Sequence, residues 1–88
     1  MSFNKNINVG EKLSGLFVIR NIELKSKDAQ FYLKMEISNS SGRIYATHWG
    51  EDSQKISKEL RRGVVVKILG RGIDVKGSLW LKLSGISR

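Results

Sequence analysis

At 88 residues the chain is long enough for one small domain with a single core and too short for two, which leaves no room for an elaborate enzyme. Sixteen Lys and Arg against eight Asp and Glu give a net charge of +8, and on so small a surface that excess attracts polyanions, nucleic acid first among them. The lack of cysteine excludes disulfides and thiolate metal sites, a single histidine cannot build a metal site alone, and no apolar run reaches the length of a signal peptide or a membrane span. The expected compartment is the cytoplasm, and no cofactor is expected.

Residues 1–12 are polar, with isolated apolar positions at Phe3, Ile7 and Val9, and are expected to lie as an arm against a domain of residues 13–88. From Ser14 to Lys25 the chain is rich in β-branched and aromatic residues and predicts one long strand. Val18, Ile22 and Leu24 fall in one phase and Phe17 and Ile19 in the other, with polar Arg20 and Asn21 between them. That two-sided pattern predicts a bulge or a sharp bend, as where one strand serves two sheets of a small barrel. Residues Ser26 to Ala29 are expected to form a connecting loop that brings Lys27 beside Lys25.

Residues Gln30 to Gly50 read as a hairpin. Phe31, Leu33, Met35 and Ile37 alternate with Tyr32, Lys34, Glu36 and Ser38, the period-two signature of a half-buried strand. Ile44, Ala46 and His48 continue the inward phase on the second arm, and Arg43, Tyr45, Thr47 and Trp49 face outward. Asn39-Ser40-Ser41-Gly42 supplies the turn. A register with Ile37 opposite Ile44 sets Glu36 against Tyr45, Lys34 against Thr47 and Tyr32 against Trp49. The outer face then carries three aromatics and a lysine, where a merely solvated face would avoid them.

Beyond Trp49 the spacing becomes helical. Asp52 or Ser53 can cap, Ile56 and Leu60 share a face, and Gly63 ends the helix. Lys55, Lys58 and Arg62 form a basic stripe, which on a short helix is usually its solvated side. Adjacent Glu51 and Asp52 suit the positive end of the helix dipole better than a metal site. Val64, Val66 and Ile68 then hold an inner phase until Gly70 and Gly72 interrupt it, as at a barrel corner. Gly70-Arg71-Gly72 is not the start of a dinucleotide fingerprint, because no third glycine and no helix follow. Lys76-Gly77 makes a turn, and the last strand sets Leu79, Leu81 and Leu83 inward and Trp80 and Lys82 outward. Five strands with a short helix between the third and fourth is the layout of the all-β OB-fold, a Greek-key barrel; an SH3-like barrel would not carry a helix of eight to ten residues there.

The run YLKMEISNSSGRIYATHW, then a short helix, GVVVKILGRG, a Lys-Gly turn and LWLKL, resembles OB domains of the anticodon-binding type that bind nucleic acid. It is most similar to the N-terminal OB domain of bacterial HD-domain 3′-to-5′ exoribonucleases, through the Ser41-Gly42 turn and the strand with Ile44, Ala46 and Trp49. The match spans roughly residues 13–84 with short motifs that mainly specify the fold. His48 stands where an aliphatic core residue is expected and Gly50 where an acid often closes the strand. The resemblance implies binding of single-stranded RNA or DNA. It also implies an HD-type hydrolase or nuclease partner, in cis or in trans, that would carry any cleavage.

No catalytic constellation stands out: the carboxylates are dispersed, and His48 lies in the inward phase as a core histidine would. Binding is the more coherent chemistry, because aromatic side chains stack on the bases of a single strand while cations follow its phosphates. Tyr32, Tyr45 and Trp49 are the expected platform, with Lys34 and Thr47 among them. Lys25 and Lys27 border one edge, Arg71 and Lys76 approach from the connection between the fourth and fifth strands, and Arg20 and Trp80 are further candidates. The bland account is that Tyr32 and Trp49 pack on each other as a cross-strand pair, or that the arm or a second subunit covers the aromatics. The alternative from another class is a protein-interaction or oligomerisation module that uses the same face.

Overall fold

The computed structural model describes residues 8–88. Five strands, β1 (Lys12–Lys27), β2 (Gln30–Asn39), β3 (Gly42–Trp49), β4 (Val65–Val75) and β5 (Ser78–Ser87), with one helix, α1 (Ser53–Glu59), follow one another in the expected order. They close a barrel in the spatial order β1-β2-β3-β5-β4, the arrangement of an OB-fold. All neighbours are antiparallel except β3 and β5, whose parallel contact closes the barrel.

The first strand is longer than Ser14–Lys25 and serves two partners. Lys12 to Val18 pair with β4, and Val18 to Lys27 pair with β2. The register breaks between Ile19 and Asn21, which makes Arg20 the extra residue of a bulge. The bulge also corrects the two-phase reading of this strand. Phe17 and Ile19 point into the core before it, Ile22 packs against the same core after it, and Val18 is left on the outside opposite Val65. Leu24 keeps the inward phase opposite Leu33 but lies beyond the end of the core, where it is 41% exposed.

The turns are tight. Instead of a four-residue loop, Asp28 and Ala29 alone join β1 to β2, at φ 52° and 63°, and Lys76 and Gly77 do the same for β4 and β5, at φ 50° and 88°. Two successive positive-φ residues give the hairpin twist that suits strand pairing. At the third hairpin, Asn39 Oδ1 accepts a 2.8 Å hydrogen bond from the Ser41 N–H, and Gly42 takes φ 124°.

Phe17, Ile19, Leu33, Met35, Ile37, Ile68 and Leu81 fill the barrel, and Ile56 and Leu60 of the α1 segment pack against them. The helix has seven residues and ends at Glu59, with Leu60 as its C-cap, before Gly63. Asp52 occupies the N-cap position, at the positive end of the helix, but its side chain makes no cap hydrogen bond. Arg62 lies beyond the helix, which shortens the basic stripe to Lys55 and Lys58.

The even-numbered inner phase of β4 runs unbroken through Gly70 and Gly72, both buried. A Cβ on Gly70 would stand 3.0 Å from Leu83 Cδ2, at a register shift against β5. One on Gly72 would stand 2.7 Å from the Asn8 carbonyl oxygen. That close approach belongs to the segment before β1: the Gly10 N–H donates to the Gly72 carbonyl at 2.7 Å, and the Gly72 N–H donates to Glu11 at 2.9 Å. The described end of the arm is thus tied to β4, while Phe3 and Ile7 lie outside the described residues.

Candidate nucleic-acid interface

The β2–β3 register is the one the hydrophobic pattern requires: Ile37 faces Ile44, Glu36 faces Tyr45, Lys34 faces Thr47 and Tyr32 faces Trp49. With Ile37 and Ile44 buried in the core, the other three pairs lie on the outer face. Tyr32 and Trp49 stack with ring centroids 4.2 Å apart and planes at 16°, so the cross-strand pair exists. The parallel β3–β5 contact makes a second pair by setting Tyr45 beside Trp80, with centroids 5.0 Å apart at 24°. Lys34 Nζ sits over both rings of that second pair, 5.5 Å from Tyr45 and 5.6 Å from Trp80. At these distances the ring quadrupoles hold the ammonium by about 0.5–1 kcal/mol.

Lys25, Lys27, Tyr32, Lys34, Thr47, Trp49 and Trp80 line one groove of about 360 Å³, whose remaining wall is Ile73 and Val75. The β1–β2 hairpin brings the two lysines and the β4–β5 hairpin brings the aliphatic wall. Among the described residues no carboxylate lines the groove. Lys25 Nζ stands 3.3 Å from Glu23 Oε2 on the exposed rim, a weak pair in water. Thr47 points outward yet is only 7% exposed, and its Oγ1 has no hydrogen-bond partner among the described residues.

The remaining candidates fall outside the groove lining, Tyr45 among them, which reaches it only through its stack on Trp80. Arg71 sits in mid-strand between Lys12 and Lys82, Lys76 is at the tip of the β4–β5 turn, and Arg20 is at the bulge opposite the Glu36–Ile37 end of β2. The sequence pattern does not single out Ile73 or Val75, and it sets Lys82 outward without assigning it to the site. Continuing the β4 alternation through its glycines would have placed Ile73 and Val75 outward. Lys82 beside Thr47 follows only from the non-local parallel pairing of β3 with β5. The large exposed aliphatics Leu16, Val65 and Leu69 stand on the β1–β4 pair, away from the aromatic pairs.

His48 is a core histidine. It is buried opposite Leu33, with Nδ1 3.2 Å from Ser53 Oγ, and that hydroxyl lies 3.0 Å from the His48 carbonyl oxygen. The single hydroxyl proton serves the carbonyl if Nδ1 carries the ring proton and donates to Oγ, so both contacts are satisfied within the chain. Ser53 is wholly buried, and the pair ties the end of β3 to the first turn of α1.

No protein-family model and no curated sequence matches the chain. Solved structures do match in fold. An SSB domain from Synechococcus sp. superposes with a TM-score of 0.75 at 13% identity, covering 96% of this chain and 100% of that one. The mitochondrial single-stranded DNA binding protein of S. cerevisiae gives 0.71 at 20% identity, over 89% and 94%. A replication protein A heterotrimer bound to single-stranded DNA gives 0.66 at 23% identity, over 89% of this chain and 56% of that one. None of these three is an exoribonuclease by name, and that finer resemblance rests on its motif residues alone.

Proposed function

We propose that this OB-fold domain is a non-catalytic binder of single-stranded nucleic acid, which lies in the groove across β2, β3 and β5 and is gripped with little dependence on sequence. One observation carries the reading: the stacked Tyr32–Trp49 pair and Trp80, itself stacked on Tyr45, line a groove with Lys25, Lys27 and Lys34 and no carboxylate among the described lining residues. Tyr32 and Trp49 each spend one ring face on the other, which leaves the outer faces for bases at about 1–3 kcal/mol per stacked base. Lys25, Lys27 and Lys34 meet the phosphates, and Lys34 exchanges its two aromatic faces for an anion when a strand enters. The neighbours in fold include proteins named for binding single-stranded DNA, which makes DNA the first ligand to test.

The test is an anisotropy titration of oligo-dT, oligo-U and duplex of about 15 nucleotides, each at about 50 and about 200 mM salt. Single strands are expected to bind more tightly than duplex, with affinity falling steeply as salt rises. Trp49→Ala is expected to lose roughly 5- to 150-fold in affinity, the equivalent of one stacked base, with its thermal melt retained. Undetectable single-strand binding at the lower salt overturns the reading.

A further inference from the structure

Trp49 borders a second cavity. A pocket of about 400 Å³ is lined by Ala29, Gln30, Phe31, Trp49, Gly50 and Glu51 and shares Trp49 with the groove. Phe31 has the inward phase of β2 but lies past the end of the core, and it is 41% exposed. Trp49 is 37% exposed and lines this cavity as well as the groove, so the two are contiguous at its ring. Among the described residues no cation stands within ion-pair distance of Glu51.

We propose that this cavity is a base subsite selective for guanine, placed at the end of the single-strand groove; the proposal rests on the groove reading. The chemistry selects the class. A carboxylate repels phosphate, so what enters beside Glu51 is a base and not the backbone. Two aromatic walls suit a planar ring. Glu51 offers only acceptors, and the Gln30 amide offers both donors and an acceptor. Guanine alone among the bases presents two adjacent donors, N1–H and the 2-amino group, beside an acceptor, O6. Glu51 accepts the two donors and the Gln30 amide donates to O6. Adenine and cytosine turn an unprotonated ring nitrogen toward the carboxylate, and thymine and uracil offer it one N–H flanked by carbonyls. Single-stranded bases are read on this edge because it is free of a pairing partner.

The test measures the affinity of oligo-dT carrying one dG at successive positions, beside the same strands carrying deoxyinosine, which lacks the 2-amino group. One position is expected to tighten binding on the order of tenfold over thymine, and deoxyinosine to lose most of that gain. Glu51→Gln is expected to collapse the guanine-to-thymine ratio at that position; the ratio is the readout because loss of a negative charge raises all affinities together. Glu51 is exposed at the surface, so its substitution leaves the core intact. If all-thymine strands bind and no position prefers guanine, the subsite is refuted and the groove stands. A preference that survives Glu51→Gln also refutes it, and if no strand binds, both readings fall.

Discussion

Thr47 is the residue at which stability and binding pull apart. The register turns it outward between Lys34 of β2 and Lys82 of β5, but it is 7% exposed, with Oγ1 unpartnered among the described residues. A buried hydroxyl without a partner costs about 1–3 kcal/mol. Thr47→Val keeps the shape and removes the orphan, so urea unfolding should show a midpoint raised by the equivalent of up to about 1 kcal/mol. The same variant should bind oligo-dT more weakly, because a strand that displaces Lys34 supplies the missing partner. A lowered midpoint would show that the hydroxyl is already satisfied. His48 is the opposite case, a polar group in the core whose contacts close on Ser53 and its own carbonyl.

At the scale of elements, β4 shows how a glycine can be required by a neighbour and not by its own backbone. Gly72 has no positive φ, yet a Cβ there meets the Asn8 carbonyl at 2.7 Å. Gly72→Ala should therefore destabilise the protein by about 1–3 kcal/mol, as overpacking does. Deletion of residues 1–10 removes the obstacle, so in the shortened chain the same substitution should be nearly neutral. Thermal melts of the four proteins form a cycle that isolates the coupling, and an equal loss in both backgrounds would place the strain at Leu79 instead. The bulge at Arg20 is the matching device on β1, since it lets one strand turn from β4 to β2 while keeping Phe17, Ile19 and Ile22 in one core.

For the whole molecule the excess of +8 is unevenly useful. Lys25, Lys27 and Lys34 line the groove, whereas Lys55 and Lys58 are exposed on a seven-residue helix outside it. If a strand follows the groove, Lys27→Gln should flatten the plot of log affinity against log salt by roughly 0.7, one phosphate contact on a single strand. Lys58→Gln should leave that slope unchanged. Equal flattening by both would mean that the net charge, and not the groove, holds the ligand.

Local pattern alone determined the elements, because alternation, helical spacing and turn chemistry are properties of neighbouring residues. Ile37 against Ile44 is enough to set the whole β2–β3 register, and with it the meeting of Tyr32 and Trp49, since a slip of one residue would turn every side chain over. The bulge was visible as two polar residues inside an apolar run. Tertiary structure alone decided the contacts that join distant parts of the chain. The Tyr45–Trp80 stack, the Lys82 neighbour of Thr47 and the aliphatic wall of Ile73 and Val75 all depend on β5 lying parallel to β3 across 35 residues. Likewise the need for glycine at position 72 comes from Asn8, 64 residues earlier, and no local period records it.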